Sequence, residues 1–247
     1  MKLDDVKKLH QKKYRQQLGF YLVEGEHLIL ELQKAVLTQP QLQSTQLYVT
    51  EKYEDWNSPF SKSVVTDKQM EKLSDTKTPQ GILACVPLPS TADHPLQPNP
   101  SERCIYLHEV QDPGNLGTIL RTLAWFGNFR LLLSANSVDP FNPKVVRSSM
   151  GAIFHVPMEL DVSLENIQQR FERFAYLDMD GQSTSSATFD DYGCYLFGNE
   201  ARGVPRETLA HLSAVPYTIP GCGAIESLNL ASAVNICAYQ VSVLGNT

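Results

Sequence analysis

The second half of the chain alternates apolar runs with helical patterns, and this alternation limits the folds open to it. The runs lie at 104–107, 129–133, 154–156, 174–177, 194–197 and 217–219. The intervals 116–126, 143–150, 164–171, 205–211 and 228–244 read as helices. A strand apolar on both faces must be covered on both faces, and a parallel sheet with crossover helices does this. The pattern predicts an α/β domain with a parallel sheet, whose ligand site lies in loops at the strand ends. No GxGxxG follows the first run, which sets aside a dinucleotide-dependent oxidoreductase.

The first half also alternates, on a smaller scale. Residues 7–17 read as a polar helix, 20–24 as a strand and 27–37 as an amphipathic helix, with short strands at 46–50 and 63–65. Thr66 and Gln69 match a capping box opening a helix through Leu73, and 81–86 is an apolar strand. Pro87, Pro89, Pro95, Pro98 and Pro100 follow, and such spacing predicts an extended linker. The expected organisation is a small α/β domain at 1–88, a linker at 89–101 and a parallel-sheet domain at 102–247. A chain starting near Pro98 is expected to fold alone. No internal repeat is visible.

With 42% apolar and 19% charged residues, the 247-residue chain is globular rather than disordered. No apolar run is long enough to span a bilayer, and Met1 to Asp5 lacks the apolar core of a signal peptide. Cys85, Cys104, Cys194, Cys222 and Cys237 form no CxxC pair, so reduced thiols, no metal site and a cytoplasmic location are expected. The net charge of −6 argues against an indiscriminate nucleic-acid binder. The charge is uneven, however. Lys2, Lys7, Lys8, Lys12, Lys13 and Arg15 outnumber Asp4 and Asp5, and Lys144 and Arg147 form a second basic group. Each patch can track a phosphate backbone or can simply be a solvated helix face.

Three segments carry chemistry: Asn115-Leu116-Gly117-Thr118-Ile119-Leu120-Arg121, Leu196-Phe197-Gly198-Asn199-Glu200-Ala201-Arg202-Gly203, and Ile219-Pro220 leading into Ser227-Leu228-Asn229. In this order they resemble the three motifs of the SpoU (TrmH-like) branch of the SPOUT RNA methyltransferases. The first module, through Phe20 to Gly25 and Thr78 to Ile82, looks like the substrate-binding domain of many such enzymes. The resemblance implies methyl transfer from S-adenosylmethionine to a ribose 2′-hydroxyl of RNA. It also implies a C-terminal segment threaded into a deep trefoil knot, against the usual rule, and a homodimer whose sites are completed across the interface. Ribosomal RNA of the large subunit (23S) is the expected substrate, transfer RNA the alternative. A rival from another class is an RNA-binding protein that keeps the fold without catalysis.

Methyl transfer from a sulfonium requires positioning and water exclusion more than protein chemistry. The acceptor hydroxyl, in contrast, needs its developing charge stabilised. The resemblance gives that part to Arg121. A guanidinium with a pKa above ~12 hardly ever deprotonates, so oxyanion stabilisation and phosphate orientation suit it better than a base role. Read without the other motifs, Arg121 would be an ordinary surface arginine on an amphipathic helix. Asn115 reads as a site residue, a helix N-cap or both. Glu200 can orient Arg121 or the ribose, or cap a helix. Phe197, Gly198 and Asn199, with Ile219, Pro220, Ser227, Leu228 and Asn229, are the implied cofactor contacts; the resemblance also counts Ser227 and Asn229 with Arg121, Asn115 and Glu200 as catalytic residues, and Ser227 can also cap the last helix. The family commonly has Met after Ile-Pro; Gly221 stands here. Lys12, Lys13, Arg15, Lys144, Arg147 and Arg202 are the RNA candidates. Asn142 and Pro143 read as N-cap and first residue of a helix from which Arg147 and Ser148 can face the site or RNA. His108 and His155 read as neighbours of the core. Leu120, Leu123, Trp125 and Phe126, with the last helix, are the candidate dimer patch, although aromatics on a helix are equally core residues.

Overall fold

The computed structural model describes residues 1–89 and 102–244. The expected linker falls outside the described residues from position 90 on. The chain divides into two compact units, one containing residues 1–89 and Asp139–His155, the other 102–138 and 156–244.

In the first unit, β1 (Phe20–Glu24), β2 (Gln46–Val49), β3 (Ser61–Val64) and β4 (Ile82–Pro87) form a sheet in the order β1-β4-β2-β3. Only β2 and β3 run parallel. Within residues 1–89 it is accompanied by α1 (Leu3–Lys8), α2 (Lys12–Leu18), α3 (Glu26–Ala35) and α4 (Asp67–Leu73). The Thr66–Gln69 capping box is formed in both directions. The single polar helix expected at 7–17 is instead the pair α1 and α2. The chain bends between them at Leu9, which is fully buried in the core. The carbonyls this bend exposes, Leu9 and His10, accept from the Arg15 guanidinium at 2.8 and 3.0 Å.

The second unit holds β5 (Arg103–Leu107), α5 (Pro113–Phe126) and β6 (Phe129–Leu133). After β6 the chain enters the segment that clusters with the first unit and carries α6 (Pro143–Ser148). There the Phe141 ring lies 4.9 Å from Tyr21 of β1. Val145 and Val146 are buried as well, so a chain cut at the linker would strip this segment of its packing, contrary to an autonomous second half. The strand expected at 154–156 is a 3-10 turn, Ala152–Phe154, entered through Met150 and Gly151 at φ 51° and 94°. Only glycine suits the second position, since a Cβ there would meet Glu31 at 2.7 Å. The redirected chain supplies only the two-residue strand β7 (Met158–Glu159).

The remaining elements are α7 (Leu164–Arg170), β8 (Phe174–Ser183), β9 (Cys194–Phe197), α8 (Arg206–Leu209), β10 (Ala214–Thr218) and α9 (Leu230–Leu244). The six strands form one sheet in the order β10-β8-β9-β5-β6-β7, every pair parallel. The expected α/β parallel sheet is thus present. β10 begins three residues earlier than its apolar pattern and contains Pro216, tolerated because this strand is the sheet edge. One face of the central strands packs Cys104, Tyr106, Leu132, Cys194 and Leu196 against Ile167 and Leu209 from the helices. Truncating a leucine in such a core to alanine costs about 2–5 kcal/mol, so β5 and β9 are a rigid base for the loops that leave them. Among the described residues no helix is long and apolar enough to cross a membrane.

Candidate active site

The loop after β5 delivers the first motif. Asp112 caps α5 by accepting from the Asn115 amide at 2.7 Å, and Pro113 occupies the first turn, where its missing N–H costs nothing. Asn115 is therefore not the cap, and its side chain is released for another task. Its carboxamide nitrogen donates to Glu200 at 3.3 Å, and its oxygen accepts from the Asn229 side chain at 2.9 Å. One residue from each motif thus lies on a single relay.

Glu200 is its acidic end. Its carboxylate also accepts from the backbone amides of Gln111 and Asp112, both at 3.1 Å. Partial burial pushes its pKa up. The backbone amides of Glu200 itself, Asp112 and Gln111, with the Asn115 side chain, overcome this and hold it below the usual value. A fixed negative charge just ahead of α5 also suits the positive end of the helix dipole. Glu200 therefore orients Asn115 and the loop, not Arg121.

The second motif is a closed turn. Asn199 is buried, and its backbone N–H and C=O exchange hydrogen bonds with Gly203, both at 2.9 Å. Its side-chain oxygen accepts from the amides of Ala201 and Arg202, and its nitrogen donates to the Glu109 carbonyl at 2.6 Å. The turn is so tight that a Cβ on Gly198 would lie 2.2 Å from the Gly203 backbone carbon. Phe197 is buried in the sheet behind it.

In the third motif, Ile219 is half-buried and Pro220 exposed beyond β10. Residues 221–229 are all exposed. The cap of α9 is Asn229, not Ser227: its side-chain oxygen accepts from the Ser232 amide at 3.2 Å and its carbonyl from Ala233. The helix starts two residues later than expected, so Ser227 falls in the loop. Ile225 and Leu228 stand uncovered there, apolar surface of the kind an adenine ring would cover beside polar groups. The residues present fit an adenosine-bearing cofactor.

Arg121 is exposed on α5 and makes no hydrogen bond or ion pair among the described residues. It lies about 9 Å along the helix from Asn115 at ~1.5 Å per residue, outside the relay. Of the RNA candidates, Lys12, Lys13 and Lys144 are exposed, Arg147 pairs with Asp75 at 3.3 Å, and Arg202 pairs with Glu109. Arg15 differs from expectation. It is only 3% exposed and holds Asp139 in an ion pair, so it braces the first unit and is withheld from phosphates. Sequence reasoning missed Gln111, Asp112 and Glu109. The Asp-Pro pair ahead of a helical run was a readable cap signal for Asp112; nothing local marks the other two. Among the described residues no group of three potential metal ligands occurs.

The chain matches the family model described as the SpoU rRNA Methylase family over residues 102–239, and that of the MRM3-like substrate binding domain over residues 2–84. It is 30% identical to an uncharacterized tRNA/rRNA methyltransferase of Synechocystis, across 95% of this chain and 88% of that one. It is 28% identical to the 23S rRNA (guanosine(2553)-2′-O)-methyltransferase RlmP of Bacillus subtilis, across 97% and 95%. The AdoMet-bound rRNA methyltransferase of Sinorhizobium meliloti superposes with a TM-score of 0.80 at 26% identity, covering 97% of this chain and 93% of that one.

Proposed function

Because the chain belongs to the SpoU rRNA methylase family, we propose that it methylates a ribose 2′-hydroxyl of large-subunit ribosomal RNA. The chain is an S-adenosylmethionine-dependent RNA methyltransferase, as its family is; the target is our reading. The observation that carries the reading is the Glu200–Asn115–Asn229 relay, which ties the three strand-end loops into one site. The substrate-binding match in the first unit and the similarity to a 23S rRNA enzyme support ribosomal RNA.

When bound, S-adenosylmethionine supplies an electrophilic methyl group. The chain's own residues do the rest. The Gly198–Gly203 turn and the 219–229 loop would hold the cofactor, Ile225 and Leu228 offering apolar surface for its adenine. Glu200 fixes Asn115, and Asn115 fixes the start of α9, so the loops meet the ligand already ordered and little entropy remains to be lost on binding. Arg121, uncommitted and exposed, stabilises the forming oxyanion and orients a neighbouring phosphate.

Arg121 stands outside its own chain's relay, which suits a homodimer in which each site takes an arginine across the interface. The apolar surface for it lies on α5 and α9. Trp125 is 84% exposed, Tyr239 and Val243 are exposed as well, and the Phe126 ring lies 6.0 Å from that of Tyr239. Leu120 and Leu123 are buried and belong to the core instead. The same reading includes the trefoil knot and a cytoplasmic location.

Titration with S-adenosylmethionine, followed by mapping of blocked 2′-hydroxyls in total RNA from cells with and without the protein, tests the reading. Cofactor binding and one lost mark in 23S RNA are the expected result. A lost mark in transfer RNA overturns the substrate, and no binding at all overturns the activity.

A further inference from the structure

Between the loops that follow β5 and β9 lies a cavity of about 230 Å³. His108, Glu109, Asn199 and Arg202 line it, together with Gly203, Val204 and Pro205. Drug-sized ligands occupy pockets of roughly 300–1,000 Å³; this one suits a smaller planar fragment such as one nucleobase.

Glu109 is an unusual residue to find here. It lies two residues beyond the end of β5 and stands at φ 50°, a left-handed conformation that costs free energy in a residue with a Cβ. Both of its own backbone polar groups are held by side chains. Its amide donates to Ser134 at 2.7 Å, and its carbonyl accepts from Asn199 and from Gln111, the latter at 3.0 Å. Its side chain contributes to the cavity lining. There it meets the Arg202 guanidinium at 2.5 Å, with Asn136 more distant at 3.4 Å. A carboxylate has about four lone-pair sites and a guanidinium five N–H donors, so both partners keep capacity for a ligand.

We propose that this cavity binds a guanine base of the RNA substrate, with Glu109 and Arg202 reading its Watson–Crick edge. The proposal rests on the methyltransferase reading and deepens it. Side by side, the pair presents two acceptors and then a donor, the pattern of a cytosine edge. Guanine offers the complement: N1–H and the N2 amino group donate to Glu109, and O6 accepts from Arg202. No other standard base has two adjacent donors on that edge. His108 adds the wall. Its Nδ1 is buried without a hydrogen-bond partner, and burial pushes the ring's pKa down, which keeps the imidazole neutral and fit to stack on a base.

Fluorescence anisotropy with labelled single-stranded pentamers UUXUU, where X is G, inosine, A or C, tests this on the full chain loaded with S-adenosylhomocysteine. Each good bidentate contact separates right from wrong base by about 10-fold or more. The wild type is therefore expected to bind the G pentamer about 10-fold tighter than the inosine one, which lacks only the N2 amino group. E109Q is expected to lose that preference while keeping its melting temperature and its affinity for S-adenosylmethionine. Equal affinities across the panel, a preference undiminished in E109Q, or no binding of any pentamer would overturn the proposal. Failure of the underlying methyltransferase reading registers separately, as absence of cofactor binding in the wild type.

Discussion

The side-chain nitrogen of Asn229 donates to the side-chain oxygen of Asn115 across 2.9 Å, although 114 residues separate them in the chain. The bond joins the first turn of α5 to the cap of α9. These two helices are further tied by a hydrogen bond between Thr122 and Asn235.

A double-mutant cycle on this pair is expected to be non-additive. Asn229→Ala removes a helix cap as well as the link, at a cost of about 1 kcal/mol. Asn115→Ala removes the link together with the hydrogen bond Asn115 donates to Glu200. The coupling energy, read from urea unfolding of the two single variants and the double, should fall within about 0.5–3 kcal/mol. Strict additivity would mean the pair carries no energy.

Glu200 makes stability depend on pH. Its folded pKa lies below the ordinary 4.5. Its contribution is therefore present above that value and is lost as the pH falls through the lowered pKa. Wild type should be more stable than Glu200→Gln at pH 7, and the gap should close on acidification below 4.5. A gap that widens in acid would reverse the assignment.

Arg121→Ala should reduce turnover by about 100-fold or more, since a group stabilising developing charge acts in the transition state. Affinity for S-adenosylmethionine should hardly change, because Arg121 touches no part of the relay. Single-turnover kinetics with saturating RNA, beside calorimetry of the cofactor, measures both. Equal rates for variant and wild type would remove Arg121 from the chemistry.

Gly198→Ala forces a methyl group into the space of the Gly203 backbone and the Val204 amide. The turn must open, at about 1–3 kcal/mol for overpacking. Affinity for S-adenosylmethionine should drop alongside the melting temperature. If the variant melts lower but binds as the wild type does, the turn is structural and the cofactor lies elsewhere.

Asp139→Ala leaves the Arg15 guanidinium buried without its counter-ion. Breaking such a pair costs about 3–5 kcal/mol, which chemical unfolding should register. Lys12→Ala with Lys13→Ala should leave stability nearly unchanged and lower both RNA affinity and its salt dependence, since exposed cations act through counterion release. The opposite ranking would restore Arg15 as a phosphate contact.

The elements legible in the chain were those whose cause is local. β1, β6 and β9 fall where their apolar runs stand, and the Thr66 box and Asn142-Pro143 start their helices as their side chains dictate. The three motifs, too, could be read because each is contiguous. What tertiary structure alone decided is which distant group meets each side chain. Arg15 reads as one more exposed lysine-like charge until Asp139, 124 residues away, covers it. Residues 139–155 read as part of the second domain until their apolar side chains are buried with the first unit. Glu200 reads as a partner for Arg121 until two backbone amides and Asn115 claim its carboxylate. Hydrophobic period and capping chemistry act over a few residues, and the sequence displays them directly. Ion pairs, relays and burial arise only when the chain closes on itself, because their energy depends on distance and desolvation in space rather than on separation along the chain.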